Sequence, residues 1–349
     1  MTKTRAAILK NEDPYDHKPW VDACEYNQTQ VVYSVIDLTK HDWFENIVKF
    51  NPDVCLLKPS GKTSLFRTLY QERIEIIVRD LAYRVFPSYD ELRIYENKRY
   101  FAYWAKANQL PHPQTWVFYS NKESVTFSEM CNYPIVAKLN IGASGNGVKI
   151  IKSSKELGAY IDRAFSEGIA SRTGPKLGKG RLVSRLWNKI LHPKQLINRL
   201  NTYSQIAADK QKGFVVFQEF IPHDFEWRAV RIGDSFFAHK KVKVGEKASG
   251  TLLKEYDNPP LKLFDFVKEV TDKFNFRSVA VDIFETPTGE YLVNEIQCIF
   301  GQSDPYQMLV DEKPSRYIHK NSKWVFEAGD FNKNQSYNLR LDYILSQLT

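Results

Sequence analysis

The segment 278–298 (SVAVDIFETPTGEYLVNEIQC) joins two β-rich runs through the polar turn at 286–289. Two such runs around a glycine-containing turn predict an antiparallel hairpin. A turn centred between Thr288 and Gly289 places Asp282 directly opposite Glu295. The two-residue period of a strand then places Gln297 on the same face as Glu295. The sequence therefore predicts a sheet face on which three oxygen-bearing side chains converge.

This hairpin is the candidate metal site. Two carboxylates that face each other among apolar residues repel, and a divalent cation bridging them removes the repulsion. Asp282, Glu295 and Gln297 offer only hard oxygen ligands, which favours Mg²⁺ completed by nucleotide phosphates, with Mn²⁺ as an alternative ion. An exposed hairpin face on which both acids are solvated is the competing interpretation.

The length and composition indicate a globular protein of two or three domains. At 349 residues and 40.7 kDa the chain exceeds the usual size of one compact core. With 43% hydrophobic and 26% charged residues it belongs to neither the disordered nor the fibrous class. The four cysteines are scattered singly, without the spacing of zinc sites or of a disulfide framework.

The charge and hydropathy pattern limit the partners and the location. The net charge of +8 suits an anionic substrate, nucleic acid or an acidic membrane surface, and charge alone does not choose among them. No segment approaches the roughly 18 uninterrupted apolar residues of a membrane span, and the first residues lack the apolar core of a signal peptide. We expect a cytoplasmic protein.

The first 95 residues predict a small parallel α/β domain, because short apolar runs alternate there with helical patterns. Asp16 and His17 follow the first run, and residues 59–61 follow the third. Parallel sheets bind ligands at the carboxyl ends of their strands, so both groups are candidate ligand contacts. Ordinary polar turns are the alternative.

The rest of the chain predicts two further units. Residues 96–216 form a small α+β lobe that begins with a helix over 97–109, and residues 217–349 form a larger lobe with the metal hairpin and a C-terminal helix. Within the small lobe, 171–212 carries about ten Lys or Arg against one acidic residue, with apolar residues at helical spacing. This basic insertion is either a helical hairpin with solvated charges or a docking surface for an anionic substrate, such as a glycan, or for an acidic membrane.

The loop 141–147 (IGASGNG) is a candidate phosphate-binding loop. Its three glycines let the backbone approach a ligand closely with N–H groups turned inward. It is neither a Walker loop, because Lys and Ser/Thr do not follow the last glycine, nor a Rossmann loop, because a strand follows it. A tight glycine hairpin is the alternative. Lys138 precedes the loop on an apolar strand, where a phosphate would compensate its charge. Lys98, on the preceding helix, is a second candidate cation for phosphate binding.

The segment 214–221 (FVVFQEFI) is a candidate adenine connector. An extended segment offers backbone N–H and C=O groups to an adenine edge, and a nearby carboxylate can bind the ribose hydroxyls. Asp224, Glu226 and Arg228 follow it. The next predicted strand carries Lys240 and Lys241, among other lysines, toward the same side. The alternative interpretation is an exposed basic strand.

Taken in chain order, Lys98, Lys138 with IGASGNG, FQEFI, the EWR triplet, Asp282 and NEIQ resemble the ATP-grasp superfamily, which includes D-alanine:D-alanine ligase, glutathione synthetase and ribosomal-protein glutamate ligases. Each motif is a weak signal alone, but their occurrence together in this order is a much stronger one. The resemblance covers roughly residues 1–305. It implies an α/β plus α+β architecture, in which a parallel preATP-grasp domain precedes a two-lobed ATP-grasp fold that binds ATP and two Mg²⁺ ions.

The resemblance also implies roles for individual residues. Lys98 and Lys138 would hold the α and β phosphates, Asp282 and Glu295 would ligate magnesium, and Gln297 stands where the family usually has Asn. The remaining implied contacts are Gly142, Ser144, Gly145 and Gly147 over the phosphates, Gln218, Glu219, Phe220 and Ile221 at adenine, Asp224 or Glu226 at the ribose, and Arg228 with Lys240 or Lys241 at the acyl phosphate. The residues CIFGQ after the hairpin differ from the small polar loop of many relatives.

The function that the resemblance implies is an ATP-dependent carboxylate-amine ligase. The enzyme would activate a carboxylate as an acyl phosphate and pass it to an amine, with small-molecule or carrier-linked substrates and no nucleic acid partner. Two alternatives stay open, a kinase that phosphorylates an anionic polyol and a non-catalytic nucleotide-binding module. No covalent side-chain nucleophile is needed, and we interpret Cys298 as a buried core thiol.

Overall fold

The computed structural model describes residues 2–59, 63–142, 147–170, 204–244, 247–256, 258–300 and 304–348, with side chains for all of these except residues 244 and 247–252. The chain forms two compact units, and each is described by itself. The first unit comprises Met1–Ser60, Leu65–Pro113 and Ile221–Thr349, and the second comprises Gly61–Ser64 and Gln114–Phe220. The predicted division at residues 95 and 216 stays a prediction.

The first unit contains the parallel sheet predicted for the start of the chain. Its strands run in the order β2-β1-β3-β4 and all pair in parallel. They are β1 Thr4–Lys10, β2 Val31–Asp37, β3 Val54–Leu57 and β4 Val85–Phe86, with helices α1 Lys18–Tyr26, α2 Trp43–Phe50, α3 Ser64–Arg79 and α4 Tyr89–Ile94 between and after them. The core of the sheet includes residues from the opposite end of the chain, since the rings of Trp20 and Tyr337 meet edge to face at 4.8 Å.

The first unit also contains a larger antiparallel sheet in the order β15-β14-β11-β12-β17-β16, with β13 beside β12 and β18 beside β17. Its strands are β11 Phe225–Ile232, β12 Ser235–Val244, β13 Lys247–Glu255, β14 Ser278–Glu285, β15 Tyr291–Gln297, β16 Leu309–Val310, β17 Lys313–Lys320 and β18 Lys323–Ala328. Helices α5 Lys98–Ala107 and α8 Leu261–Lys273 contribute Phe101 and Phe264 to its core. Helix α9 Tyr337–Ser346 closes the chain and packs on the parallel sheet.

The second unit is a small antiparallel α+β lobe. Its sheet has the order β5-β10-β6-β7, with β5 Thr115–Phe118, β6 Ile135–Lys138, β7 Val148–Ile151 and β10 Val215–Glu219, and a separate pair joins β8 Ile169–Ala170 to β9 Lys210–Gln211. Helices α6 Asn121–Met130 and α7 Ser154–Phe165 begin at Ser120 and Ser153, whose side chains cap them. The rings of Phe127 and Phe217 stack at 5.8 Å between helix and sheet.

The parallel sheet and the two antiparallel sheets confirm the predicted combination of α/β and α+β architecture. Of the basic insertion predicted over 171–212, residues 171–203 lie outside the described residues, so its proposed role in membrane or glycan contact stays a prediction. Within the described part of the chain, no helix is long and apolar enough to cross a membrane.

Gly233, in the turn between β11 and β12, is expected to tolerate no side chain. Its φ is +58°, and a Cβ atom there would overlap the ring of Tyr343 on α9. We expect Gly233→Ala to lower the free energy of unfolding by about 2–3 kcal/mol, because left-handed strain adds to overpacking. Gly289→Ala is the matched control, since its φ of +79° is similar and its nearest neighbour is the mobile tip of Lys262 at 3.4 Å. Urea unfolding of both variants is the measurement. Equal losses of unfolding free energy in Gly233→Ala and Gly289→Ala would contradict the packing argument.

Candidate active site

Four neighbouring strands of the antiparallel sheet align one polar side chain each. Arg228 on β11 pairs in register with His239 on β12 and with Asp282 on β14, and Asp282 pairs with Glu295 on β15. Directly paired residues of adjacent strands project from the same face of a sheet. These four residues therefore form a continuous row across the face, and we call them the polar row.

A β-bulge sets the register of the metal hairpin. Ile283 pairs with Val293, whereas the preceding residue Asp282 pairs with Glu295, so Asn294 is the extra residue on β15. The predicted pairing of Asp282 with Glu295 is confirmed, and the bulge produces it. A bulge interrupts the two-residue alternation, so alternation along β15 does not determine the face on which Asn294 lies. Gln297 lies two residues beyond Glu295 and shares its face.

Asp282 is a buried carboxylate held by two cations. Its Oδ1 and Oδ2 accept hydrogen bonds from Nε and Nη2 of Arg228, both at 2.9 Å, and Nζ of Lys241 lies 2.8 Å from Oδ2. The Asp282 side chain is 4% exposed. Burial by itself raises its pKa, but Arg228 and Lys241 outweigh that effect and hold the pKa well below its usual range. The carboxylate is therefore ionised at neutral pH.

Lys241 connects Asp282 to a second buried acid. Its Nζ lies 2.5 Å from Oε2 of Glu226, which pairs with it across β11 and β12. His223 approaches the same carboxylate, with Nε2 3.8 Å from Oε1 of Glu226. Of the two acids predicted for the ribose, Glu226 is thus engaged with Lys241, while Asp224 is exposed.

Lys98 lies at the other end of the row. Its Nζ is 3.2 Å from Oε1 of Glu295 and 3.4 Å from Oε2 of Glu96. Burial lowers its pKa, but Glu295 and Glu96 more than compensate and raise the pKa to about 12. Helix α5 begins at Lys98 because the side chain of Asn97 caps it by accepting from Tyr100 N. The structure therefore places this predicted phosphate ligand beside a predicted metal ligand.

The structure separates the two lysines that the sequence left as alternatives. Lys240 lies on the opposite face of β12 from Lys241, and its Nζ stands 4.8 Å from the ring centre of Phe225 and 5.3 Å from that of Trp227. Lys241, by contrast, contacts Asp282 directly. Only Lys241 therefore shares the face of Arg228.

We expect Lys241→Met to lower the free energy of unfolding by about 1–3 kcal/mol, because it leaves the buried Glu226 without its cation while Asp282 keeps Arg228. Lys240→Met makes the same chemical change on the neighbouring residue and serves as the matched control, with an expected loss below about 1 kcal/mol. Urea unfolding of both variants is the measurement. A larger loss from Lys240→Met would contradict the assignment of the two faces.

His239 and Cys298 are buried groups near the row. Nδ1 of His239 donates to Gln307 O at 3.0 Å, since a carbonyl can only accept. Burial first, and the charge of Arg228 next, lower the pKa of His239 to about 3, so its ring is neutral. Sequence reasoning missed this residue, because only the pairing with Arg228 reveals it. Burial raises the pKa of the Cys298 thiol, which agrees with its interpretation as a core residue rather than a nucleophile.

In the second unit, Lys138 ends β6 and is 8% exposed. The following loop is closed by a hydrogen bond of 2.8 Å from Leu139 N to Gly147 O. Gly147 has φ of +85°, and a Cβ there would lie 2.9 Å from the Cβ of Leu139, so this position requires glycine. Gly142 belongs to the described chain, whereas Ser144 and Gly145 lie outside the described residues.

Within the predicted adenine connector, the residues assigned to adenine begin near the end of β10. Gln218 is buried, and its Nε2 donates to Thr115 Oγ1 at 3.2 Å. Oε1 of Glu219 accepts from Gln114 N at 2.8 Å, so this side chain supports its own sheet. Phe220 closes the second unit and Ile221 opens the last segment of the first unit.

The polar row suits a magnesium ion that is held partly by its substrate. Among the described residues, no group of three or more His, Cys, Asp or Glu side chains is arranged to hold a metal. Asp282 and Glu295 nevertheless face each other and supply two carboxylates. Mg²⁺ commonly binds through one or two carboxylates and completes its octahedron with waters and phosphates. The donor chemistry therefore fits this ion when a nucleotide is present.

No protein family model and no curated protein matches this chain significantly. Solved structures do match. N5-carboxyaminoimidazole synthase from Aspergillus clavatus, in complex with ADP and 5-aminoimidazole ribonucleotide, gives a TM-score of 0.58 at 10% identity over 99% of this chain and 77% of that chain. D-alanine–D-alanine ligase from Bacillus anthracis gives 0.55 at 13% identity, over 99% and 97%. An ATP-grasp RimK domain protein from Sphaerobacter thermophilus gives 0.50 at 14% identity, over 85% and 92%. At sequence identities this low, the structural similarity shows a shared fold and nothing further.

Proposed function

We propose that this chain, which has the ATP-grasp fold, is an ATP-dependent ligase that joins a carboxylate to an amine. The carboxylate would attack the γ-phosphate of ATP to give an acyl phosphate and ADP. The amine would then displace phosphate and form an amide. The substrates would be small molecules or carrier-linked acids.

The observation that carries the proposal is the charge pattern of the polar row. Asp282 and Glu295 lie side by side, with Arg228, Lys241 and Lys98 as their counter-ions. Taking such charges out of water is costly unless they are paired, and the same groups are those that phosphoryl transfer requires. A purely structural sheet gains little from ionised groups at this density.

Asp282 and Glu295 are proposed to hold magnesium, which when bound would neutralise the phosphate charge, and Gln297 on the same face is a further oxygen donor. Arg228 and Lys241 stay protonated, because their carboxylate partners outweigh the effect of burial and raise both pKa values. They are therefore fixed positive charges that can stabilise the acyl phosphate and the tetrahedral intermediate without reorganising.

The nucleotide contacts are proposed separately for each unit. In the second unit, Lys138 and the loop that ends at Gly147 are assigned to phosphates. The segment from Gln218 is assigned to adenine through main-chain groups, because the Glu219 side chain already bonds Gln114 N. In the first unit, Asp224 is favoured over Glu226 for the ribose, because Glu226 is engaged by Lys241. The matched Aspergillus clavatus synthase was solved with ADP, which supports a nucleotide ligand here.

The proposal is tested by incubating the full-length protein with ATP, Mg²⁺, pooled amino acids and candidate carboxylic acids. A product with the mass of two substrates minus water, formed with equal release of phosphate, is the expected result. A substrate mass increased by one phosphate group would make the protein a kinase. ATP binding without turnover of any pool would favour the non-catalytic module.

A further inference from the structure

Strand β2 forms one edge of the parallel sheet, and its side away from β1 is open. Among the described residues, no strand pairs with that side. On its other side, all seven residues from Val31 to Asp37 pair in an unbroken register with Thr4–Lys10 of β1. The edge is therefore long and regular, which is the kind of strand edge that readily pairs with a further strand.

Other edge strands of the first unit carry features that discourage such pairing. At the opposite edge of the same sheet, β4 has only two residues. In the larger sheet, β18 carries Lys323 and Glu327, and β15 is covered where Val293 N donates to Pro111 O at 2.8 Å. In contrast, β2 (VVYSVID) has no proline and no bulge, and its only charged residue is Asp37 at the end.

The hydrogen-bond pattern shows which backbone groups of β2 face the open side. Leu38, directly after β2, donates from its N to Lys10 O at 3.0 Å and so faces β1. Successive residues of a strand face alternate neighbours, so the even-numbered residues of β2 face β1 as well. The N–H and C=O groups of Tyr33 and Val35 therefore face outward, where no described backbone group bonds them.

The side chains of β2 leave apolar surface in water on both faces of the sheet. Ile36 packs in the core that includes α2, and Tyr33 packs against the core that includes α1. Strand alternation puts Val32 on the face of Ile36 and Val35 on the face of Tyr33. These two valines are 42% and 39% exposed. A strand laid along the open side would cover both valines and would bond the outward backbone groups.

We propose that β2 pairs with β2 of a second copy of this chain, so that two parallel sheets join into one continuous sheet. The two strands would run antiparallel about a two-fold axis perpendicular to the sheet, and an axis at the central residue, Ser34, overlaps all seven residues. Tyr33 then lies opposite Val35 of the partner subunit. Such a pair exchanges both outward backbone hydrogen bonds, and an aromatic side chain opposite a β-branched one is favourable.

The charges of the flanking helices fit a second copy. Helix α2 contacts β2 on one face of the sheet, and α1 contacts it on the other. Glu45 lies in the first turn of α2 and Lys49 in its last, whereas α1 begins at Lys18 and has Glu25 near its end. The two-fold axis makes each helix antiparallel to its own copy on the same face. The acidic end of one helix therefore lies nearest the basic end of the other, which favours self-association over pairing with an unrelated strand.

The test is the mass of the full-length protein in solution, measured by sedimentation velocity over a concentration series. We expect twice the chain mass of 40.7 kDa. Val35→Lys should raise the dissociation constant of the dimer at least about tenfold, because it puts a charge into the joined sheet. Val325→Lys is the matched control, since this valine is 40% exposed and lies on the edge strand β18. It should leave the dimer intact, and circular dichroism should show both variants folded.

A cysteine cross-link tests the register. In the proposed pairing, residue 34 lies opposite its own copy in a non-hydrogen-bonded pair, where Cα atoms are about 4.5 Å apart, and a disulfide can span that distance. Oxidation with diamide should therefore link two Ser34→Cys chains, as seen by non-reducing electrophoresis. Wild type and Val325→Cys, treated in the same way, should stay as single chains.

The possible outcomes decide the inference without reference to the ligase assay, because the interface uses no residue of the polar row. A wild-type mass of one chain throughout the series would overturn the inference and leave the edge of β2 to a strand of another protein. A dimer that Val35→Lys leaves intact would also overturn it, as would Ser34→Cys chains that do not cross-link. A dimer that forms no amide would overturn only the proposed ligase activity.

Discussion

Glu295→Gln is expected to reduce ATP-dependent turnover about a hundred- to a thousandfold while the protein stays folded. The change removes the negative charge of one of the two carboxylates assigned to magnesium, and removal of one group that stabilises the transition state typically has an effect of this size. The fold should survive, because the Glu295 side chain is 22% exposed and, within the described residues, its ion pair is with Lys98 alone. Steady-state phosphate release and circular dichroism measure the two effects.

Glu290→Gln is the matched control for that prediction. It makes the same change on an exposed residue near the turn of the same hairpin, and we expect normal turnover. Full activity of Glu295→Gln, or an equal loss in both variants, would contradict the assignment of the metal site.

Asp282→Asn is expected to lower the free energy of unfolding at pH 7 by about 3–5 kcal/mol, because it leaves Arg228 and Lys241 buried without the carboxylate that both contact. The pKa of Asp282 is lower in the folded protein than its unfolded value of about 3.9. Its ionised form therefore contributes stability above about pH 4, and that contribution is lost as the pH falls below this value.

Urea unfolding of wild type and variant between pH 3 and pH 7 is the measurement. The difference between the two proteins should narrow as the pH falls below about 4, since Asp282 then binds a proton in the unfolded wild type but not in the folded one. Asp234→Asn, in the exposed turn between β11 and β12, is the control, with an expected change within about 0.5 kcal/mol. An Asp282→Asn protein as stable as wild type at pH 7 would show that the contacts of Asp282 with Arg228 and Lys241 make no net contribution to stability.

The metal hairpin could be predicted because the residues that define it lie close together in the sequence. A two-residue period and a glycine turn predict two antiparallel strands that bring Asp282 close to Glu295, while their direct pairing also depends on the bulge at Asn294. The bulge at Asn294 could not be predicted, because an extra residue in one strand leaves no composition signal when its neighbours are equally β-favouring. The parallel sheet at the start of the chain was predictable for the same local reason, since apolar runs and helical patterns alternate there.

The parts of the site that depend on distant pairing were not predictable. Lys240 and Lys241 are adjacent in the chain, and only the register of β12 with β11 shows which one reaches Asp282. His239 enters the row through the same register. The last helix, α9, packs on the parallel sheet through residues that include Leu341, and no local pattern indicates this return.

Oxygen transfer tests the central claim, reaction through an acyl phosphate, most directly. The carboxylic acid identified by product mass is labelled with ¹⁸O in its carboxyl group and turned over with ATP, Mg²⁺ and the amine. We predict that each released phosphate carries one ¹⁸O atom, because the carboxylate oxygen that attacks the γ-phosphorus leaves with phosphate. Product formation with unlabelled phosphate would contradict the mechanism.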